Sequence, residues 1–247
     1  MSAIANHLIE LLPAEERFQL LEQCEVVELA FGTVLCEPNQ RYRYLYFPMS
    51  GFISLLSEVA GYKPLEMGLI GNEGMLGATI ALGVTTAHMQ SVVQGKGTAW
   101  RIELVVLQQV LQRCPQLRYV LKRYLFVLMG QVSQSAACAH FHELDQRLAR
   151  WLLMSHDRAH SNEFHLTHQF LADMLGVRRS GVTVAAGIMQ KHGLIRYTRG
   201  QINIMNRHAL ESVSCECYQT SVEDFKRFLG APTPDTLLRL SAKQGTP

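Results

Sequence analysis

Several hallmarks of common protein classes are missing from this sequence. No charge-free apolar run reaches the length of a membrane span, and no basic segment followed by an apolar one begins the chain. Neither a Ser/His/Asp or Cys/His nucleophile signature nor a glycine-rich phosphate loop occurs. These absences argue against a membrane protein and against an enzyme, and we expect a cytoplasmic protein without a membrane partner.

Metal ligands are also sparse. His88 is the only histidine between residues 8 and 110, whereas a metalloenzyme of the cupin type needs clustered His and Glu ligands on its strands. Cys215 and Cys217 form a C-x-C pair a turn or two after His208. This is not the usual spacing of a structural zinc site, so we expect buried or idle thiols and no metal.

The remaining cysteines do not suggest a framework or a cluster. The six cysteines are scattered along the chain, which favours reduced thiols over disulfides. Cys24 and Cys36 stand twelve residues apart with no third cysteine nearby. An iron-sulfur cluster is therefore not expected.

Charge is distributed unevenly, although the net charge is only +2. Residues 1–110 carry 6 Lys and Arg against 11 Asp and Glu, and residues 146–211 carry 9 against 4. The split indicates an acidic body joined to a module that attracts polyanions, although an ordinary solvated surface would explain the charge alone equally well.

The texture of the first half is β-rich. After leucines at helical spacing in residues 4–22, seven short runs between 26 and 102 are rich in β-formers and separated by turns, for example Ala60-Gly61-Tyr62. We predict a helical cap followed by an antiparallel β-roll of the jelly-roll type.

A long helix follows the roll. Residues 116–142 contain no proline and a single glycine, which predicts one helix of roughly 26 residues and about 39 Å. We predict a twofold dimer seam on one face of it, and the alternative is a helix buried within its own chain. The predicted seam residues are Leu117, Leu121, Tyr124, Leu128, Gln131 and Ser135.

The segment LTHQFLADMLGVRRSGVT, which begins at Leu166, predicts a helix-turn-helix. Thr167 can cap the first helix and Gly176 can end it. A second helix from about Arg179 would turn Val182 and Met189 inward and its polar residues outward. Two arginines at the start of this helix suit phosphates or guanine edges in a major groove.

Two short strands around Thr198-Arg199-Gly200 complete the module as a hairpin wing. Asp145, a predicted N-cap, marks the hinge before RLARWLL. The predicted organisation is an α+β fold of four parts: the roll at 1–112, the dimerisation helix and hinge at 113–145, the winged helix-turn-helix at 146–230, and a loosely ordered tail at 231–247.

Residues from about 8 to 212 resemble the Crp/Fnr superfamily of bacterial regulators. The most specific matches are RLARWLL, the helix-turn-helix segment, and the Gly-Leu-Ile at 193–195 that leads into the wing. The resemblance implies a homodimeric transcription regulator that binds a pseudo-palindromic site on double-stranded DNA, with RNA polymerase as a further candidate partner. The candidate DNA contacts are Thr167, Gln169, Arg178, Arg179, Ser180, Thr183, Val184 and Arg199.

The sequence departs from the family at two base-reading positions. Ser180 stands where well-known members have a glutamate, and Val184 stands where they have an arginine. The half-site of those members is therefore not expected here. We expect Arg179 to contact guanine and Thr183 to contact a thymine methyl group.

The effector pocket implied by the resemblance also departs from the family. Its Gly-Glu pair is reversed, and no arginine occurs between Arg43 and Arg101. A buried cyclic phosphate would lose a charge-assisted pair worth roughly 1.5–3 kcal/mol, so we do not expect cyclic AMP, and the effector is unknown. Haem stays open, since His88 and a second ligand would suffice. The candidate pocket residues are Glu73, Gly74, Met75, Thr85, Thr86 and His88.

Two readings of other classes compete with the DNA-binding regulator. One is a ligand-binding roll that acts through protein partners, with the helix-turn-helix as its docking surface. The other, weaker one is the cupin-type metalloenzyme.

Overall fold

A computed structural model describes residues 6–159 and 163–230; the predicted tail at 231–247 lies outside them. Within those two ranges, no helix combines the length and apolar character needed to cross a membrane.

Seven strands form two antiparallel sheets, as the seven β-rich runs predict. One sheet has the order β1-β7-β3 and the other β2-β6-β4-β5. Opposed apolar pairs such as Leu45 with Ile102 and Ile53 with Ile70 fill the space between them. The strands are β1 Glu25–Leu29, β2 Val34–Cys36, β3 Tyr44–Pro48, β4 Phe52–Ser57, β5 Leu65–Ile70, β6 Gln90–Gly95 and β7 Gly97–Glu103.

Short helices close the roll at both ends of its chain segment. α1 (His7–Glu10) and α2 (Ala14–Leu21) precede it, and α3 (Leu104–Arg113) follows β7. Asn6 caps α1 through its side chain, and its amide also donates to the carbonyls of Pro48 and Gly74. Because Asn6 is fully buried, these bonds satisfy an amide that would otherwise destabilise the core.

The long helix is present as α4, Pro115–Phe141. The dimer face predicted for it is wrong, because this face packs on the helix's own chain. Leu117, Leu121 and Tyr124 are at most 2% exposed in the core of the roll. Gln131 accepts a hydrogen bond from the Leu69 backbone N–H, and Ser135 accepts one from Arg150. Leu128, the remaining predicted seam residue, is half-buried and packs against the same core.

The hinge lies two residues earlier than predicted. α4 ends at Phe141, His142 is extended, and α5 already begins at Leu144. Asp145 therefore stands in the first turn of α5 rather than at its N-cap. A carboxylate is still favourable there because it faces the positive end of the helix dipole.

The C-terminal module is built on α5 (Leu144–Ala159). It contains α6 (His168–Leu175) and α7 (Arg179–Lys191), and then a sheet of order β8-β10-β9. Strands β9 (Ile195–Thr198) and β10 (Gln201–Ile204) are the predicted wing. The third strand, β8 (Glu163–His165), was not predicted, because three residues are too short for a periodicity signal.

Two helices follow the wing. α8 (Arg207–Val213) packs on α5, whereas α9 (Cys217–Leu229) lies along α4. The apolar side of α9 contacts the long helix, with the Phe228 ring 4.9 Å from that of Phe126. The sequence groups α9 with the DNA-binding module, but its packing partner is the long helix.

The roll and the C-terminal module share a core. Phe52, Leu56 and Leu69 of the roll are buried together with Leu148 and Trp151 of α5. At the rim, the ammonium of Lys63 lies 2.8 Å from a carboxylate oxygen of Asp173 on α6. The β4–β5 hairpin is thus the part of the roll that packs against the C-terminal module.

Candidate nucleic-acid interface

The first helix of the motif has the two ends that the sequence predicts. The Thr167 hydroxyl accepts a hydrogen bond from the Phe170 N–H at 3.1 Å and caps α6. Gly176 ends the helix at φ +65°, a conformation that costs glycine nothing. Leu171 and Leu175 are buried between these ends.

The second helix, α7, buries one face and exposes the other. Val182, Ala185, Ala186 and Met189 are at most 5% exposed in the core of the module. Arg178, the N-cap, makes no capping hydrogen bond through its side chain and is exposed. A helix pair of this kind presents its second helix to a groove and its first turn to base edges or phosphates.

The base-reading candidates lie on the exposed face of α7. Arg179, Ser180 and Thr183 are exposed, and Val184 is 62% exposed. The positive end of the helix dipole and two arginines make this end of the helix electropositive. The surface suits a polyanion, and Val184 offers an apolar contact where an arginine would read guanine.

His168 of α6 contacts both α7 and the wing. The sequence analysis did not identify this residue. Its Nδ1 lies 2.9 Å from the Thr183 hydroxyl of α7, and its ring stacks on Tyr197 of the wing with centroids 4.1 Å apart. Partial burial and the nearby Arg179 lower the pKa of His168. Because the Thr183 hydroxyl donates to the Arg179 carbonyl, it accepts the proton of His168 Nδ1. The only sequence signal was its place directly after the cap Thr167.

The Thr183 hydroxyl is already engaged within the protein. It donates to the Arg179 carbonyl at 3.1 Å and accepts from His168. Its methyl group is what remains for a base. The predicted contact with a thymine methyl group therefore stays a prediction that fits this geometry.

The wing turns through two residues, Arg199 and Gly200, both at positive φ (+49° and +83°). This is the geometry of a type I′ hairpin, which matches the twist of the flanking strands. Arg199 is exposed at the tip. Gln190 of α7 accepts a hydrogen bond from the Tyr197 N–H at 2.7 Å and so fixes the wing beside the recognition helix.

Gln169, a predicted phosphate contact, has a partner within the chain. Its amide donates to Asp173 at 2.8 Å, and the same carboxylate holds Lys63 of the roll. A phosphate contact by Gln169 therefore requires exchange of this bond. The geometry links a DNA-facing residue to the β4–β5 hairpin.

The predicted effector residues are divided between two environments. Glu73 pairs with Arg158 of α5 at 2.7 Å, and Met75 is fully buried. Thr86 instead forms an isolated antiparallel β-bridge with Arg41 through the backbone, and His88 is exposed. Of the six candidates, only Glu73 lines the cavity of about 200 Å³ between α4, α5 and α9; Gly74, Met75, Thr85, Thr86 and His88 do not.

The turn before Met75 is covered by side chains. A Cβ on Gly71 would clash with Arg158, and one on Gly74 would clash with Tyr124. The two glycines are therefore required by close packing rather than by an open phosphate cradle. Arg158 is a cation that the sequence analysis did not place here, because it comes from a helix 85 residues away.

The C-x-C cysteines do not meet the histidine that the sequence places near them. His208 is exposed, and its Nδ1 lies 3.9 Å from the carboxylate of Glu211. Cys215 and Cys217 instead lie with Cys138 and His142 of the α4–α5 joint. Among the described residues, this group of possible metal ligands lies outside the roll.

A β-roll, a long helix and a winged helix-turn-helix in one chain define the class of regulators that join a cyclic-nucleotide-binding-type domain to a DNA-binding one. Residues 146–213 match the family model described as the Crp-like helix-turn-helix domain. The resemblance to the Crp/Fnr superfamily is confirmed, and this segment is its DNA-binding domain.

Solved structures share the fold over about four fifths of the chain. A chain from Eubacterium rectale, assigned to the crp/fnr family of transcriptional regulators, is 18% identical, with 83% of this chain and 96% of that chain covered at a TM-score of 0.62. The c-di-GMP responsive global regulator CLP of Xanthomonas campestris is 17% identical, with 78% and 100% covered at 0.63. A CRP family regulator of Thermus thermophilus is 16% identical, with 76% and 96% covered at 0.63. No curated protein sequence matches the chain.

Proposed function

We propose that the chain is a homodimeric, sequence-specific transcription regulator that binds a pseudo-palindromic DNA site and does not respond to cyclic AMP. The observation that carries the proposal is the exposed first turn of α7, with Arg178 and Arg179, held beside the wing arginine Arg199 through His168 and Gln190. Arginine at a helix N-terminus and at a wing tip supplies both base-edge and phosphate contacts.

Homodimerisation is supported by the face of α4 opposite to the one predicted. Its exposed residues repeat at alternating spacings of three and four, the pattern of a two-helix seam. Phe126 is 52% exposed and Met129 is 60% exposed, which is unusual for apolar side chains of this size. The stripe consists of Tyr119, Lys122, Phe126, Met129, Ser133, Ala136 and His140.

The small residues in the second half of this stripe suit a close approach of two helices. Ser133, Ala136 and the neighbouring Ala137 are exposed. The parallel α4 of a second chain can therefore come near the backbone there. A twofold axis along α4 would set the two α7 helices one DNA turn apart, about 34 Å.

Insensitivity to cyclic AMP is supported by the surroundings of Glu73. The single cation beside this carboxylate, Arg158, is already paired with it and packs over Gly71. A cyclic phosphate placed there would face an acidic group and would have to displace the arginine.

Selection of binding sites from random duplex DNA, with purified protein and no added ligand, tests the proposal. We expect enrichment of an inverted repeat with half-sites one helical turn apart. Charge reversal at Arg178, Arg179 and Arg199 should abolish this enrichment. A protein contact of the wild-type chain that survives the charge reversal, together with no enrichment of DNA by the wild type, would instead favour the competing role, in which the helix-turn-helix docks proteins.

A further inference from the structure

A group of three cysteines and one histidine lies at the junction between the long helix and the DNA-binding module. Cys138 is in the last turn of α4, and His142 is the first residue after it. Cys215 lies between α8 and α9, and Cys217 is the first residue of α9. The ligand atoms of all four residues lie within 4.8 Å of one another.

The distances match a tetrahedral metal site. The Cys138 and Cys215 sulfurs are 3.5 Å apart, and the Cys217 sulfur is 3.4 Å from His142 Nδ1. Zinc bonds to sulfur and nitrogen of the usual length give tetrahedral edges of about 3.8 Å between sulfurs and about 3.6 Å between sulfur and nitrogen. The four residues therefore converge on a point where one ion can touch each of them.

The surroundings also resemble those of a metal site. The other ring nitrogen of His142, Nε2, lies 3.0 Å from the Glu216 carboxylate, which fixes Nδ1 as the nitrogen that faces the cysteines. The amide of Gln134 donates to the Cys217 sulfur at 2.9 Å. All three cysteines are buried, so an ion there is shielded from water.

Charge balance favours an ion with three thiolates. Zn²⁺ with three thiolates and a neutral imidazole carries a net charge of −1. Arg150, which is 8% exposed, donates a hydrogen bond to Ser135, three residues before Cys138, and forms no ion pair with a carboxylate among the bridges of the described residues. A buried guanidinium without a counter-ion is costly, and the thiolate site supplies that negative charge.

We propose that Cys138, His142, Cys215 and Cys217 bind a single Zn²⁺ ion that ties the C-terminal end of the long helix to the segment leaving the DNA-binding module. Binding releases the thiol protons to solvent and involves no change of oxidation state. A cluster of several irons would need ligands distributed over different metal atoms, and the 4.8 Å limit favours one shared ion.

The position of the site gives it a consequence for regulation, and this consequence rests on the proposed function. Two ligands lie at the C-terminal end of α4, where the α4–α5 joint begins, and the other two lie at the start of α9. A bound ion would fix the distance between the α4–α5 joint and the segment that leaves the DNA-binding module. Its removal should loosen the placement of the two recognition helices in a dimer.

Metal content and cobalt titration of the full chain test the site. Purified under reducing conditions, the protein should hold one zinc per chain, and the chelated protein should take up one Co²⁺ with the absorption bands of tetrahedral thiolate coordination. Cys217→Ser and His142→Ala should weaken affinity at least about 100-fold, and Glu216→Gln about 10-fold. Wild-type protein that binds neither zinc nor Co²⁺ after reduction would overturn the proposal.

Matched controls separate the site from general effects of substitution. Cys24→Ser changes a cysteine of the roll, and His208→Ala changes the exposed histidine that the sequence places nearest to the C-x-C pair. Both should keep one zinc per chain. Equal metal content in His142→Ala and His208→Ala, or a Cys138–Cys215 disulfide in metal-free protein trapped from cells, would also overturn the site.

A DNA-binding measurement distinguishes the site from the proposed function. Zinc-loaded protein should bind the selected DNA at least about 10-fold more tightly than chelated protein, and His208→Ala should behave as wild type. Zinc binding with unchanged DNA affinity would overturn the link to regulation alone. Zinc binding without any DNA binding would overturn the proposed function and leave the metal site intact.

Discussion

The indole nitrogen of Trp151 donates a 2.7 Å hydrogen bond to the Glu66 carboxylate, and so joins the first helix of the DNA-binding module to β5 of the roll. The second carboxylate oxygen accepts from Ser54, whose hydroxyl also lies 2.9 Å from Gln94. Although Glu66 keeps some exposed surface, both of its oxygens point into this contact. Burial raises the pKa of Glu66 to about 7, despite the hydrogen bonds from Ser54 and Trp151 that oppose the shift.

Glu66→Gln should stabilise the protein above neutral pH. The folded state holds the Glu66 proton to a pKa of about 7, and the unfolded state releases it near 4.5, so wild-type stability falls as pH rises across that window. The glutamine amide can donate to Ser54 while its oxygen accepts from Trp151. We expect the unfolding free energy of the variant relative to wild type to rise by about 2 kcal/mol between pH 5 and pH 8.

Denaturant unfolding at several pH values measures this difference. Asp173→Asn serves as the control, since it alters a different polar contact between roll and module, the Lys63 pair at the rim. A surface pair contributes little, so its effect should stay under about 1 kcal/mol. If the difference in unfolding free energy between Glu66→Gln and wild type does not change with pH, Glu66 is ionised throughout the range.

Arg179 and Arg199 should contribute differently to DNA binding. Arg179→Ala should relax specificity at one position of each half-site, at a cost of about 1–3 kcal/mol on the preferred sequence. Arg199→Asn should weaken binding to all sequences and lower the salt slope by about 1. Asparagine is the better replacement at Arg199, because it tolerates the positive φ of the turn.

Binding titrations at several salt concentrations, on the selected site and on single-base variants, check this division. Lys191→Ala, in the last turn of α7, is a charge-matched control away from the first turn. Equal losses on every sequence for Arg179→Ala and Arg199→Asn would contradict the separation of base reading from phosphate contact.

His168 should support the wing without adding much stability. His168→Phe keeps a ring to stack on Tyr197 and removes the bond to Thr183, whereas His168→Ala removes both. Each change should cost about 1 kcal/mol in unfolding free energy. DNA affinity should fall more for alanine than for phenylalanine, because alanine leaves Tyr197 unsupported. The same affinity for both variants would show that the stacking does not position the wing.

Periodicity in the sequence reveals which residues are buried but not what covers them. The seven strands follow from the β-rich runs, and the capped α6 and the hairpin wing follow from local patterns at Thr167, Gly176 and Arg199; the structure has them all. The apolar face of α4 was also identified, but it was assigned to a second chain. In the structure the roll and α5 cover it.

The contacts that were missed join segments far apart in the chain. Cys138 and His142 have the i, i+4 spacing of one helix face, yet their partners lie about 75 residues later. Arg158 reaches Glu73 across a similar separation. No local pattern encodes such pairs, because each half is compatible with many other partners.

Met129→Glu should break the proposed dimer. Met129 lies in the middle of the exposed stripe on α4, so a glutamate there would place two carboxylates near the twofold axis and oppose association. Because the side chain is 60% exposed in the single chain, folding of the protomer should be unaffected. Sedimentation should show that the dissociation constant of the dimer rises at least about 10-fold, so that monomer replaces dimer.

Val105→Glu is the control for this change. Val105 of α3 is 55% exposed but lies off the stripe, so the same substitution should leave the dimer intact. A Met129→Glu protein that stays dimeric would show that the seam lies elsewhere. A charged residue at a buried position such as Leu121 should instead unfold the chain. If Met129→Glu is monomeric, its affinity for the full inverted repeat should fall to that for one half-site, because the second recognition helix is no longer held one turn away.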